Sequence, residues 1–179
     1  MKEELEPLAR SVENFAVAAL GDEKVFMTGG ETENEEVWDV SAYDLNTNKW
    51  SDLPHMNHKR RLHCSLCLNG FLFVLGGFEV NSIESFKIDG GQKWSDLQTD
   101  QLIERSHAAV TALDESNIAV FGGAGSNDGY VYNLKDKQVR KILGDASDTT
   151  FHSKSQVQMH MKGSGGSYWV TIGMNYDDG

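Results

Sequence analysis

The segment Cys64-Ser65-Leu66-Cys67-Leu68-Asn69-Gly70-Phe71-Leu72-Phe73-Val74-Leu75-Gly76-Gly77 holds two apolar runs joined by Asn-Gly and closed by a pair of glycines. Runs this short, mixing aliphatic and aromatic residues without a 3.6-residue period, are strands rather than helices. Asn69-Gly70 tolerates positive φ at both central positions, so it closes a two-residue type I′ hairpin.

The same pattern recurs along the chain. Glycine pairs also stand at Gly29-Gly30 and Gly122-Gly123, spaced 47 and 46 residues apart from first to third. They follow Val25-Phe26-Met27-Thr28 and Ile118-Ala119-Val120-Phe121, and a weaker fourth copy runs Trp169-Val170-Thr171-Ile172-Gly173-Met174. Each pair is preceded by a partner run, Phe15–Leu20 in the first copy and Ala108–Leu113 in the third. Each is followed by two more extended pieces, marked by Tyr43 then Trp50, Phe86 then Trp94, and Tyr132 then Val139. Four strands per copy is the unit of a β-propeller, in which a sheet too small to bury both faces is covered by its neighbours. Glycine at the strand end suits unusual φ or the close approach of an adjacent sheet.

An apolar run, Gly-Gly, Tyr, then Trp seven residues later, as in Val25 to Gly30, Tyr43 and Trp50, resembles the kelch repeat. The expected fold is all-β, an incomplete kelch-type β-propeller of about three and a half four-stranded antiparallel blades. Blade one takes residues 10–53, blade two 59–98 and blade three 103–143. Residues 152–179 supply part of a fourth, and 1–9 read as the remnant of an outer strand or an N-terminal tail. Kelch propellers usually close with about six blades, so the chain is expected to be a piece of a longer protein. An open array exposes sheet faces and strand edges, which favours self-association or added blades.

The resemblance implies a protein–protein interaction module, of the kind that serves as the substrate-recognition part of a ubiquitin-ligase adaptor. It also admits a cytoskeleton-associated structural protein, or a fragment of a propeller enzyme such as a copper oxidase or sugar isomerase. Nothing in the residues supports the enzyme alternative: the six histidines are scattered and no carboxylate pair shares a cleft, so no catalytic residue, metal or cofactor is expected.

Charge narrows the partner. The 179 residues carry 16 Lys+Arg against 27 Asp+Glu, a net charge of −11, which would repel a phosphate backbone and argues against nucleic acid. No apolar run approaches the length of a membrane span, and Met1–Leu8 is too acidic for a secretory signal, so a cytoplasmic location is expected. Against this acidity stands His55-Met56-Asn57-His58-Lys59-Arg60-Arg61-Leu62-His63, with three fixed cations and no acid. Aligned by turn length, Arg61, Arg105 and Lys154 share one position and His63 and His107 another, two residues on and therefore on the same strand face. Together with Lys59 and Arg60 they form a candidate partner-binding set for an acidic or phosphorylated peptide. The competing expectation is structural, with the basic heads hydrogen-bonded between blades.

Three further features carry less. Glu31-Thr32-Glu33-Asn34-Glu35-Glu36 reads as a solvated loop, without the oxygen spacing or glycine turn of a calcium site. Cys64 and Cys67, three apart on a strand, point to opposite faces and read as buried free thiols. Gly163–Gly166 and Gly122–Gly129 lack the phosphate-loop pattern and read as turns.

Overall fold

The computed structural model describes residues 7–8, 11–97, 105–124 and 128–141, and the backbone of 142–143, 156–163 and 166–173. Fourteen strands and no helix make up these residues. The chain forms two compact units, residues 1–106 and 107–179. The first contains two four-stranded antiparallel sheets. Blade 1 is β1 (Ala16–Leu20), β2 (Lys24–Thr28), β3 (Val40–Asp44) and β4 (Lys49–Leu53); blade 2 is β5 (Cys64–Leu68), β6 (Phe71–Leu75), β7 (Ile83–Lys87) and β8 (Ser95–Leu97). The second unit contains blade 3, with β9 (Ala109–Ala112), β10 (Asn117–Phe121), β11 (Gly129–Asn133) and β12 (Val139–Leu143), and a hairpin of β13 (Gln156–Gly163) and β14 (Gly166–Gly173). In every sheet the strands lie in sequence order, so each neighbour pair is a hairpin.

The glycine pairs occupy one structural position in three sheets. The first glycine has φ of 54° at Gly29, 63° at Gly76 and 63° at Gly122, the second 106°, 130° and 109° at Gly30, Gly77 and Gly123. In each case the first glycine N–H donates across the loop that follows, to the carbonyls of Asp39, Ser82 and Asp128. Within the first unit the second glycine reaches beyond its own sheet: Gly30 N–H donates to the Arg60 carbonyl at 2.7 Å and Gly77 N–H to the Arg105 carbonyl at 3.0 Å. A side chain at either position would carry a positive-φ penalty, and its Cβ would crowd Val12 and the Glu13 carbonyl at Gly30 or the Arg61 carbonyl at Gly77.

Packing follows from the register. Directly opposed residues share a face, so Ala18, Phe26 and Ala42 form one row of blade 1 while Ala19, Val25, Tyr43 and Trp50 form a row on the other side. The first row, with Val40, meets Leu72, Val74, Phe86 and Trp94 of blade 2 around Met56, in one buried cluster. Trp94 closes it by stacking on Phe86 with centroids 5.4 Å apart and donating its indole N–H to the Pro54 carbonyl at 2.8 Å, which ties blade 2 to the segment leaving blade 1. On the far side of blade 1, Phe15 and Val17 remain exposed.

Turns repeat as well. Asp44 accepts the N–H groups of Asn46 and Thr47, Asn133 accepts those of Lys135 and Asp136, and four residues on from each lies a left-handed residue, Asn48 and Lys137. In blade 1 Asn48 supplies the carbonyl that accepts from the Tyr43 hydroxyl. Lys137 has no such acceptor, and the equivalent Tyr132 hydroxyl is buried without a hydrogen-bond partner among the described residues. Lys137→Asn should therefore stabilise the chain by about 1 kcal/mol, by supplying the acceptor and a residue that tolerates positive φ. Urea denaturation of the two proteins checks this; an unchanged midpoint would contradict it.

Candidate functional site

The loops β2–β3 (residues 29–39), β4–β5 (54–63) and β6–β7 (76–82) all leave the same end of the first unit's sheets, since successive strands are antiparallel. This rim receives the basic island. Lys59 lies 5.6 Å from the Trp38 ring centroid and Arg61 4.1 Å from that of Phe78. Both aromatics are exposed, Trp38 at 44% and Phe78 at 40%, so each cation rests on a ring that still faces solvent. His55 continues the patch, 6.0 Å from Trp38 between ring centroids and 3.0 Å from Asp39.

The acidic run keeps Glu33, Asn34 and Glu35 exposed, as expected of a solvated loop, and is also folded on itself. Val37 N–H donates to the Gly30 carbonyl and Thr32 N–H to that of Glu35, while the Thr32 hydroxyl accepts the N–H groups of Asn34 and Glu35. This turn places Glu31, Glu35 and Glu36 beside the cations. Glu35 pairs with Lys59; Glu36 accepts from Arg61 Nε at 2.7 Å, with Glu31 at 3.5 Å. The hydrogen bond that Arg61 donates to Glu36, chief among these influences, raises the guanidinium pKa further.

Arg60 and His63 lie inside. Arg60 is fully buried and donates to Glu84 Oε1 from Nη2 at 2.9 Å and Nε at 3.2 Å, to the Gly76 and Ser82 carbonyls from Nη1, and to the Ser82 hydroxyl from Nη2. Burial lowers its pKa and the Glu84 carboxylate opposes that. Its main chain bonds Val37 and Gly30 of blade 1, so one residue joins two sheets. Arg61 and Arg105 are not equivalent. The glycine bonds match Arg60 with Arg105, and Leu62 with Asn14 and His107, all three with φ between 55° and 59°. The turn-length alignment slips by one residue because Leu113 N–H bonds Asn117, which shortens the effective β9–β10 loop. Arg105 is half-buried, His107 is exposed and begins the second unit, and Lys154 lies outside the described residues.

His63 Nε2 and the Thr28 hydroxyl share a hydrogen bond of 2.8 Å. Burial, with Arg60 adding to it, pushes the imidazole pKa down to about 3. The folded form thus keeps His63 neutral where the unfolded chain takes a proton near pH 6.5, so its contribution is complete above that pH and falls as pH drops toward 3. The loss approaches about 1.4 kcal/mol per pH unit. Denaturant midpoints of the wild type and His63→Gln between pH 7 and 4.5 should show a shallower slope for the variant; equal slopes would contradict the assignment.

Two other clusters gather groups with chemical potential. His58, Glu84 and Asp96 gather within metal-ligating range, His58 Nδ1 being 3.1 Å from Glu84 and 3.7 Å from Asp96. However, Glu84 already accepts from Arg60 and from the backbone N–H groups of Asn57 and His58, so the cluster is an ion-pair network with its own cation. Cys64 and Cys67 are thiols rather than halves of a disulfide, and burial pushes both up to about 12, so neither is a thiolate at neutral pH.

A family model described as the Kelch motif matches residues 14–57, the span of blade 1 and its exit. Residues 14–57 carry the kelch motif. Its kelch relatives include Kelch repeat protein M-T9 of Myxoma virus, 32% identical over 116 residues, covering 62% of this chain and 22% of that protein. Kelch repeat protein C2 of Vaccinia virus (strain Western Reserve) is 29% identical over 125 residues, covering 68% and 22%. Kelch-like protein 6 of Homo sapiens is 31% identical over 87 residues, covering 46% and 13%. The matched part thus spans about a fifth of the viral kelch proteins. No helix among the described residues is long and apolar enough to cross a membrane.

Proposed function

We propose that the rim is a protein-docking surface whose cations, Lys59 and Arg61, receive an acidic or phosphorylated segment of a partner, with Trp38 and Phe78 as apolar anchors. Kelch repeats generally serve protein–protein interaction, and loops on a rigid sheet are where recognition is built. The observation that carries the reading is the pair of exposed aromatics, each bearing a cation, on loops of consecutive blades. Aromatic residues and arginine are the commonest energetic anchors of interfaces. Arg60 and His63 hold the rim from within, and Arg105, His107 and Lys154 extend the same function along the chain. In the whole protein, this surface would be the substrate-recognition part of a cytoplasmic ubiquitin-ligase adaptor, without catalysis, metal or cofactor of its own.

A membrane-arrayed library of acidic, phosphorylated, basic and neutral peptides, probed with the full chain, tests this. Acidic or phosphorylated peptides should be retained, and Lys59→Ala/Arg61→Ala should lose them while melting at the wild-type temperature. Retention of basic or neutral peptides alone, or retention unaffected by the double substitution, would overturn the reading.

A further inference from the structure

We propose that Glu35 and Glu36 are an internal competitor for Lys59 and Arg61 and thereby determine which anion the rim accepts, a phosphate group displacing them where a single carboxylate does not. The inference rests on the docking role argued above. Both rim cations are already paired with carboxylates of the β2–β3 loop, Lys59 with Glu35, and Arg61 with Glu36 at 2.7 Å and Glu31 at 3.5 Å. The Val37–Gly30 bond and the Thr32–Glu35 turn hold the loop backbone in place. A tethered group of this kind acts at an effective concentration of about millimolar.

An incoming glutamate or aspartate would exchange one carboxylate for another of the same charge, and gains nothing against a tethered rival. A phosphate monoester brings about −1.5 to −2 charges and three acceptor oxygens, enough for a forked contact with Arg61. Displacement needs only side-chain rotation, because the exposed carboxylates are held at their heads by these pairs. The cations need not move: Phe78 lies under Arg61 at 4.1 Å and Trp38 beside Lys59 at 5.6 Å, so both remain supported when the carboxylates leave.

The test uses the full chain and three fluorescein-labelled ten-residue peptides in a Gly/Ser background, with phosphoserine, glutamate or serine at one central position, titrated by fluorescence anisotropy. The wild type should prefer the phosphoserine peptide by about tenfold or more over the glutamate peptide. Glu35→Gln/Glu36→Gln should tighten the glutamate peptide about five- to tenfold and so narrow that preference, with the melting temperature unchanged. If the glutamines leave both affinities unchanged while Lys59→Ala/Arg61→Ala abolishes binding, the competitor is overturned and the docking role stands. If no peptide distinguishes any variant from the wild type, both fail.

Discussion

Arg60→Ala should destabilise the first unit by about 3–5 kcal/mol, the usual consequence of removing one partner from a buried ion pair. Both Arg60 and Glu84 are fully buried. Without the guanidinium, Glu84 keeps a charge inside the protein with only backbone N–H groups and His58 to hold it, and the Gly76 and Ser82 carbonyls lose their donor. The loss is concentrated where blade 1 meets blade 2, because the Arg60 main chain belongs to one sheet's hydrogen bonds and its side chain to the other's. Arg60→Lys should recover little, since an ammonium cannot reach five acceptor contacts as a planar fork does. By contrast, Arg60→Met/Glu84→Leu should recover most of the stability, because it removes both charges together. Urea denaturation with a double-mutant cycle decides the matter: Arg60→Ala within about 1 kcal/mol of the wild type would show that the buried pair is not what holds this corner.

Gly29→Ala should cost about 2–5 kcal/mol, combining a non-glycine residue at positive φ with overpacking. Gly29 has φ of 54°, and an alanine Cβ would stand 2.8 Å from His63 Cε1 and 3.1 Å from Met56 Cε, and closer still to the Arg60 carbonyl oxygen. Two of these neighbours belong to the structural groups already described, so the substitution strikes the Thr28–His63 bond and the Arg60 staple together. Gly70→Ala is the control. Its φ is also positive, at 76°, but nothing lies within 4 Å of its Cβ position, so only the conformational penalty of about 1 kcal/mol remains. Equal losses at both sites would show that backbone conformation, and not the approach of blade 2, requires Gly29.

These expectations divide at the line where sequence stops being informative. The three glycine pairs, the Asn69-Gly70 turn and the strands marked by Tyr43, Trp50, Phe86 and Trp94 were legible because residue types with a conformational or packing preference recur there at a fixed spacing. What sequence pattern does not contain is pairing across sheets. Arg60 looked like one more cation in an exposed basic run, and only its burial against Glu84, 24 positions away, shows it to be structural. The acidic loop is solvated as expected, but its ion pairs were hidden for the same reason: Glu35 and Glu36 meet Lys59 and Arg61 after a chain reversal that no local propensity encodes. A one-residue error in matching Arg61 with Arg105 followed from counting turn residues when a backbone bond inside the β9–β10 turn sets the register. Of the candidate set, Lys59 and Arg61 remain on the rim, and the aromatics beneath them, Trp38 and Phe78, went unread because exposed aromatics in loops carry no periodic signal.

The central claim is that the glycine pairs end the second strand of stacked four-stranded sheets, with blade 1 packed face to face on blade 2. Methyl and aromatic NOE spectroscopy of the isotope-labelled chain measures this directly. Contacts should link the Ala18 and Ala42 methyls and the Phe26 ring with Leu72, Val74 and the Phe86 and Trp94 rings, alongside the cross-strand contacts of β1–β4 and β5–β8. Cross-strand contacts without any between these two side-chain sets, or helical chemical shifts through Val25–Thr28 and Leu72–Leu75, would contradict it.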